Sequence, residues 1–180
     1  MKYFPLYAAL LTAAAFIDAA PVSSVCSNGS FNTSGIRNGG PYQSPVNGVK
    51  ITNGLIRIGY RGASNLFSSD ATMSPNKPLI IEFTAPVKEM NISYNTCGVR
   101  GKGGVIEVFD GSNQRISRKV TDGKYCGRIN LPLFHDPFTT TVKGKNLRKI
   151  VVYFDLNDTP CNTVGNCNYG IGIRELSWKC

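Results

Sequence analysis

Between Val49 and Trp178 apolar side chains return at every second position in short runs, and nothing between the runs keeps a helical period for long. Runs of this kind bury one face each, and they do so by pairing into sheets. PLIIEF offers Leu79, Ile81 and Phe83 to one face; after a break at Ala85-Pro86, VKEMNISY offers Met90, Ile92 and Tyr94. Three hairpins are predicted. VKITNGLIRIGY turns at Asn53-Gly54, residues that tolerate the positive φ of a type I′ turn. GVIEVFDGSNQRISRKV turns around Asp110 to Asn113, and TVKGKNLRKIVVYF around Gly144, with Ile106, Val108, Ile150, Val152 and Phe154 pointing inward.

The last run, YGIGIRELSWKC, breaks step. Ile171 and Ile173 share one phase and Leu176 and Trp178 the other, so a β-bulge at Arg174-Glu175 is expected to return all four to one buried face. About nine strands with polar turns predict an all-β fold: a two-sheet antiparallel β-sandwich of the jelly-roll type, since a local meander leaves its ends far apart. A hydrophobic content of 42% and a charged content of 17% suit one packed domain.

The amino terminus reads differently. Lys2, an apolar stretch from Tyr3 to Ala15 and small residues at Ala19 and Ala20 have the layout of a secretory signal peptide over residues 1–20. That stretch is shorter than the roughly 20 apolar residues that span a bilayer. Residues 21–48, rich in Gly, Asn, Ser and Pro, read as an irregular lead-in, and residues 49–180 as the sandwich domain. All six cysteines follow the signal segment, and an even number in an exported chain reads as disulfides; the paired spacing of a zinc site is missing. Many connectivities are open. The pairing favoured by position along the chain is Cys161–Cys167 around a polar loop, Cys97–Cys126 around a strand pair, and Cys26–Cys180 joining the ends. The N-x-S/T motif marks Asn28, Asn32 and Asn91 as glycosylation acceptors in an exported eukaryotic chain; at Asn157 a proline after the threonine weakens it.

The order YRGASNLF, PLIIEFTAPVKEMNISY, GVIEVFD, LRKIVVYF and YGIGIRELSW resembles the galactose-binding-like jelly rolls of carbohydrate-binding modules and exported microbial proteins, over roughly Val49 to Trp178. The resemblance implies a sugar-binding sandwich. In many relatives the first acidic position of the closing strand holds a structural calcium ion, but Arg174 stands there, and a cation does not ligate a cation. Asp155, Asn157 and Asp158 in DLNDTPC read as an Asx-type turn, so neither metal nor cofactor is expected.

No catalytic constellation stands out. His135 is the single histidine and Asp136, its neighbour in sequence, is badly placed to orient it, while Glu82, Glu89 and Glu107 fall in the outward phase of strands. A jelly-roll polysaccharide lyase or a glycosidase is the enzyme alternative, without a motif of its own. Binding is the better expectation. The net charge of +9 survives removal of Lys2 and Asp18 with the signal segment, and favours anionic surfaces and glycans; an exported location argues against nucleic acid. Basic residues gather at Arg115, Arg118, Lys119, Lys124, Arg128, Lys143, Lys145, Arg148 and Lys149. Sugar binding needs an aromatic ring beside hydrogen-bonding groups. Tyr60 with Arg61 and Asn65, Tyr125 and Tyr169 are the expected ligand-binding residues, and Tyr153 is another tyrosine in an outward phase. Two readings follow: a secreted, monomeric, noncatalytic carbohydrate or cell-wall glycan binder, and an exported protein-interaction factor, an effector or inhibitor, on the same scaffold.

Overall fold

Two long strands organise the molecule. The computed structural model describes residues 25–34, 36, 42–44, 46–58, 64–69, 76–97, 104–121, 137–154 and 170–180. Among them are nine strands and no helix: β1 (Gly29–Asn32), β2 (Val49–Thr52), β3 (Gly54–Ile58), β4 (Ser64–Ser68), β5 (Leu79–Cys97), β6 (Gly104–Asp110), β7 (Arg115–Val120), β8 (Phe138–Phe154) and β9 (Gly170–Lys179). All pairings are antiparallel, in the order β3-β4-β9-β5-β8-β6-β7, with β1 also on β9 and β2 also on β5.

β5 and β8 lie side by side and bend together. Between the pairs Glu82↔Lys149 and Val87↔Leu147, residues 83–86 of β5 oppose Arg148 alone; between Val87↔Leu147 and Glu89↔Lys143, residues 144–146 of β8 oppose Lys88 alone. These reciprocal excursions shift the buried phase of β5 from Leu79, Ile81, Phe83, Ala85 and Val87 to Met90, Ile92 and Tyr94. The first half of β5 pairs with β2 and with the second half of β8, which leads to β6 and β7; the second half of β5 pairs with β9, which carries β1 and β4, and with the first half of β8. One continuous sheet thereby folds over a single core. Phe83 from one half meets Trp178 from the other edge to face, at 5.2 Å between centroids.

Two predicted hairpins are corrected. Asn53 does adopt a positive φ of 56°, but β2 pairs with β5 and β3 with β4, so Asn53-Gly54 is a corner between layers. Its carbonyl accepts the Ser69 N–H at 2.7 Å and its side-chain amide donates to the Pro78 carbonyl at 3.1 Å, bonds that pull the two strands apart. Gly144 does not reverse the chain either, because β8 runs through it along β5. Ala85-Pro86 likewise falls inside a strand. Pro86 costs no ladder bond there, since residues 83–86 have no partner on β8, where the Arg148 guanidinium donates instead to the Phe83 carbonyl at 3.0 Å and to that of Thr84. The β6–β7 hairpin forms as expected. The Asp110 carboxylate accepts the backbone N–H groups of Ser112 and Gln114 at 2.9 and 2.8 Å, and Asn113 takes a φ of 61°.

The closing strand contains the expected bulge. Ser93 pairs with Glu175 and Tyr94 with Ile173, leaving Arg174 extra, and Ile171, Ile173, Leu176 and Trp178 are all buried. The Arg174 carbonyl accepts both the N–H and the hydroxyl of Thr33, at 2.9 and 3.1 Å, at the point where β9 changes its outer neighbour from β1 to β4. The expected irregular lead-in therefore contributes a strand, β1, whose Phe31 enters the core opposite Leu176. Cys26 and Cys180 are bonded, with their Cα atoms 5.7 Å apart. Of the other two proposed pairs, Cys97–Cys126 and Cys161–Cys167, the residues Cys126, Cys161 and Cys167 lie outside the described residues, as does the segment 1–20.

Candidate binding face

Once Ile150, Val152, Phe154, Ile106 and Val108 are in the core, the alternate residues of β8 and β6 lie on the opposite side of the sheet, where Val105 and Glu107 are themselves buried and Phe109, Val151 and Tyr153 are half-buried. The register lines them up across the sheet in three rows. One contains Thr52, Ile80, Val151, Glu107 and Arg118; the next Lys50, Glu82, Lys149, Phe109 and Arg115; the third Tyr153, Val105 and Val120. In these rows Lys50, Arg115, Arg118 and Lys149 stand against Glu82 and Glu107, an excess of two positive charges.

Glu107 is the organising group. Its side chain is 10% exposed and one of its oxygens, Oε1, takes Arg115 Nη1 at 2.8 Å and Arg118 Nε at 3.4 Å. The Arg115 and Arg118 side chains are 54% and 36% exposed, so both cations reach the surface of the sheet. Lys149 Nζ lies 4.6 Å from the centre of the Phe109 ring and donates to Asn113 Oδ1. Phe109 and Tyr153 are each half-buried, with an accessible part on the outward side. The face thus offers aromatic surface flanked by three oriented cations, the groups that hold a sugar ring by its C–H side and a carboxylate or sulfate by its oxygens.

Strand order divides the basic residues. Arg115, Arg118 and Lys149 share this face, whereas Lys143 and Lys179 bind Glu89 on the far side of the sandwich, at 3.3 and 3.0 Å. Arg148 is taken up by the bend, and Lys119 leans toward the Tyr94 ring at 5.9 Å on the inner side of edge strand β7. An inward-leaning charge on an edge strand hinders pairing with other chains.

Asn65, expected to bond a ligand, is interior: it is 0% exposed, and Asn95 Nδ2 donates to its Oδ1 at 2.9 Å. Gly172 makes this possible. A Cβ there would stand 2.7 Å from the Phe67 ring and 2.8 Å from Asn65 Cβ, so only a glycine lets both side chains close over β9. Tyr60, Arg61, Tyr125, Tyr169, Lys124, Arg128, His135 and the Asp155–Asp158 stretch lie outside the described residues. Phe109 is the residue that sequence reasoning passed over. Its phase opposite Ile106 and Val108 is visible in GVIEVFD, but its place beside Lys149 depends on β8 adjoining β6.

Beside the disulfide, between Gly48, Phe83 and Trp178, a cleft of about 40 Å³ has room for a water molecule and not for a sugar. No protein-family model matches the chain, and no curated protein matches its sequence. Among solved structures it is similar to the K2 cleaved adhesin domain of Lys-gingipain, with a TM-score of 0.50 and 11% identity, covering 86% of this chain and 100% of that one. It is also similar to a Paenibacillus sp. cycloisomaltooligosaccharide glucanotransferase complexed with cycloisomaltoheptaose, with a TM-score of 0.43 and 10% identity over 84% of this chain. The chain spans 18% of that enzyme's length. At such identity the likeness to the adhesin domain is one of strand arrangement, an all-β antiparallel fold.

Proposed function

We propose that this protein is an exported, noncatalytic binding domain that holds an acidic polysaccharide on the outward face of β8, β6 and β7. The observation that carries the reading is the shared Glu107 oxygen: it orients Arg115 and Arg118 side by side, next to Phe109 with its stacked Lys149. A row of cations along neighbouring strands suits a charged polymer better than a small molecule, and guanidiniums stay charged at every physiological pH. The Cys26–Cys180 bond fits an oxidising, extracellular or cell-wall setting, and the strand arrangement shared with an adhesin domain is in keeping with a binding role. Tyr60, Arg61, Tyr125 and Tyr169 belong to the same reading as further stacking and bonding groups. A protein-interaction role is the second reading, favoured by Ile116 and Val120 of β7, which are 42% and 43% exposed.

The test is retention on immobilised acidic polysaccharides, pectin-like and heparin-like, beside neutral ones. Retention on the acidic matrices should fall steeply with salt, because exposed charges are screened within about 10 Å at 0.1 M, and should not respond to chelator. Arg118→Gln with Lys149→Gln should abolish it at an unchanged melting temperature, and Tyr60→Ala or Tyr169→Ala should weaken it. Absence of retention on every matrix would leave the protein-interaction reading; loss in chelator at constant salt would point to a metal.

A further inference from the structure

The opposite outward face is built from different chemistry. On β1, β9, β5 and β8 the positions alternating with Phe31, Leu176, Trp178, Met90, Ile92 and Val142 are all polar. The register sets Ser30, Ser177, Asn91 and Thr141 in one row, Asn32, Glu175, Ser93 and Thr139 in the next, and Lys179, Glu89 and Lys143 in a third. Two asparagines of N-x-S/T motifs, Asn32 and Asn91, stand in these rows, and the third, Asn28, precedes Gly29 in the phase of Ser30. Positions spread over sixty-odd residues of sequence come together on one side of the sandwich, where no apolar side chain waits to be covered.

Each of these carboxamides is anchored by its oxygen. The Cys180 N–H donates to Asn28 Oδ1 at 2.9 Å and the Ser34 N–H to Asn32 Oδ1 at 2.5 Å; a backbone N–H only donates, so the bonded atom is oxygen. At Asn91 the Thr141 hydroxyl donates to Oδ1 at 2.7 Å, while Nδ2 reaches Glu89 Oε1 at a long 3.5 Å. Nδ2 is the atom that an N-linked sugar occupies. Substitution there keeps the oxygen as acceptor, so all three anchoring bonds survive modification.

We propose that Asn28, Asn32 and Asn91 carry N-linked glycans and make this face the sugar-bearing side of the molecule, with the cationic face left uncovered. In the transfer, Nδ2 attacks the anomeric carbon of a lipid-diphosphate-linked oligosaccharide. The N–C1 bond forms, the bond from C1 to the phosphate oxygen breaks, Nδ2 gives up one proton, and the lipid diphosphate departs. The motif hydroxyls belong to Ser30, Ser34 and Ser93.

The full chain, produced in a secretory host that N-glycosylates, is opened by peptide N-glycosidase in heavy-oxygen water and mapped by mass spectrometry. Asn28, Asn32 and Asn91 should each convert to heavy-labelled aspartate, and Ser30→Ala, Ser34→Ala and Ser93→Ala should each remove one site while leaving its asparagine and the melting temperature in place. Absence of conversion at all three, with a control glycoprotein from the same cells fully converted, would overturn the proposal, as would conversion at Asn157 alone. Amine-reactive labelling tests the sidedness. Lys143 and Lys179 should label severalfold faster in the unglycosylated triple variant than in the glycoprotein, and Lys50 at the same rate in both; equal protection of all three lysines would overturn the one-sided arrangement.

Discussion

Trp178 is where the layers and the amino-terminal segment meet. Its Nε1 donates to the Ser27 carbonyl at 2.9 Å, its ring meets Phe83 edge to face, and Cζ2 lies 2.4 Å from where a Cβ on Gly29 would stand, so β1 approaches the ring closely enough to require glycine. Trp178→Ala should cost about 3–5 kcal/mol of stability, read from the midpoint of a urea melt; a variant as stable as the parent would place the ring outside the core. Glu89 shows what the polar face does electrostatically. The Lys179 ammonium above all, with Lys143 adding to it, holds its carboxyl below the usual range against a smaller opposing effect of desolvation. A depressed folded-state pKa contributes stability above the unfolded value and loses it as pH falls through the folded one. The stability gap between the parent and Glu89→Gln should therefore be present at neutral pH and close on acidification below the ordinary carboxylate range. A gap that widened there would contradict the arrangement.

At the scale of elements, the bulge in β9 and the bends in β5 and β8 solve one problem: a strand whose residues alternate strictly cannot both turn a corner and keep its apolar side inward. In β9 the solution is one extra residue. Deleting Arg174 should throw Leu176 and Trp178 out of phase with Ile171 and Ile173 and abolish the cooperative unfolding transition. Arg174→Ala keeps the extra residue and the carbonyl that Thr33 uses, and should change stability by no more than about 0.5 kcal/mol. Equal behaviour of the two variants would remove the bulge from the account.

For the whole molecule, the Cys26–Cys180 bond joins residues 154 apart in sequence and holds β1 against β9 at the free end of the closing strand. A cross-link over so long a loop restricts the unfolded chain most. Replacing both cysteines by serine should lower stability by about 4–5 kcal/mol in the chain-entropy picture, measured as a fall in denaturant midpoint. Peptide mapping without reductant should recover the two fragments together; recovery of Cys180 with Cys161 or Cys167 would contradict the observed bond.

Alternation along the chain determined on its own which residues point inward. Ile106, Val108, Ile150, Val152, Phe154, Met90, Ile92 and Tyr94 are all in the core, and the broken step at Arg174-Glu175 is a bulge, because inside and outside in a strand are set by the next residue along. The end-to-end disulfide was one of many connectivities the cysteines left open, and it is the pairing of β1 with β9 that brings Cys26 to Cys180. Strand partners were not legible either. Asn53-Gly54 has the local conformation of a hairpin turn, yet β2 and β3 go to different neighbours, and Gly144 sits in a turn-like sequence where β8 bends but does not reverse, because pairing is decided by distant strands competing for the same edge. The candidate site shares that limit. The outward phase of Tyr153 and Phe109 could be read from sequence, but Arg115, Arg118 and Lys149 share a face with Phe109 only because β8, β6 and β7 are neighbours, and Asn65 is interior only because Gly172 leaves it room. The grouping of Asn28, Asn32 and Asn91 on one side has the same origin: each motif is local, and the face they share is made by β1, β9 and β5 lying edge to edge.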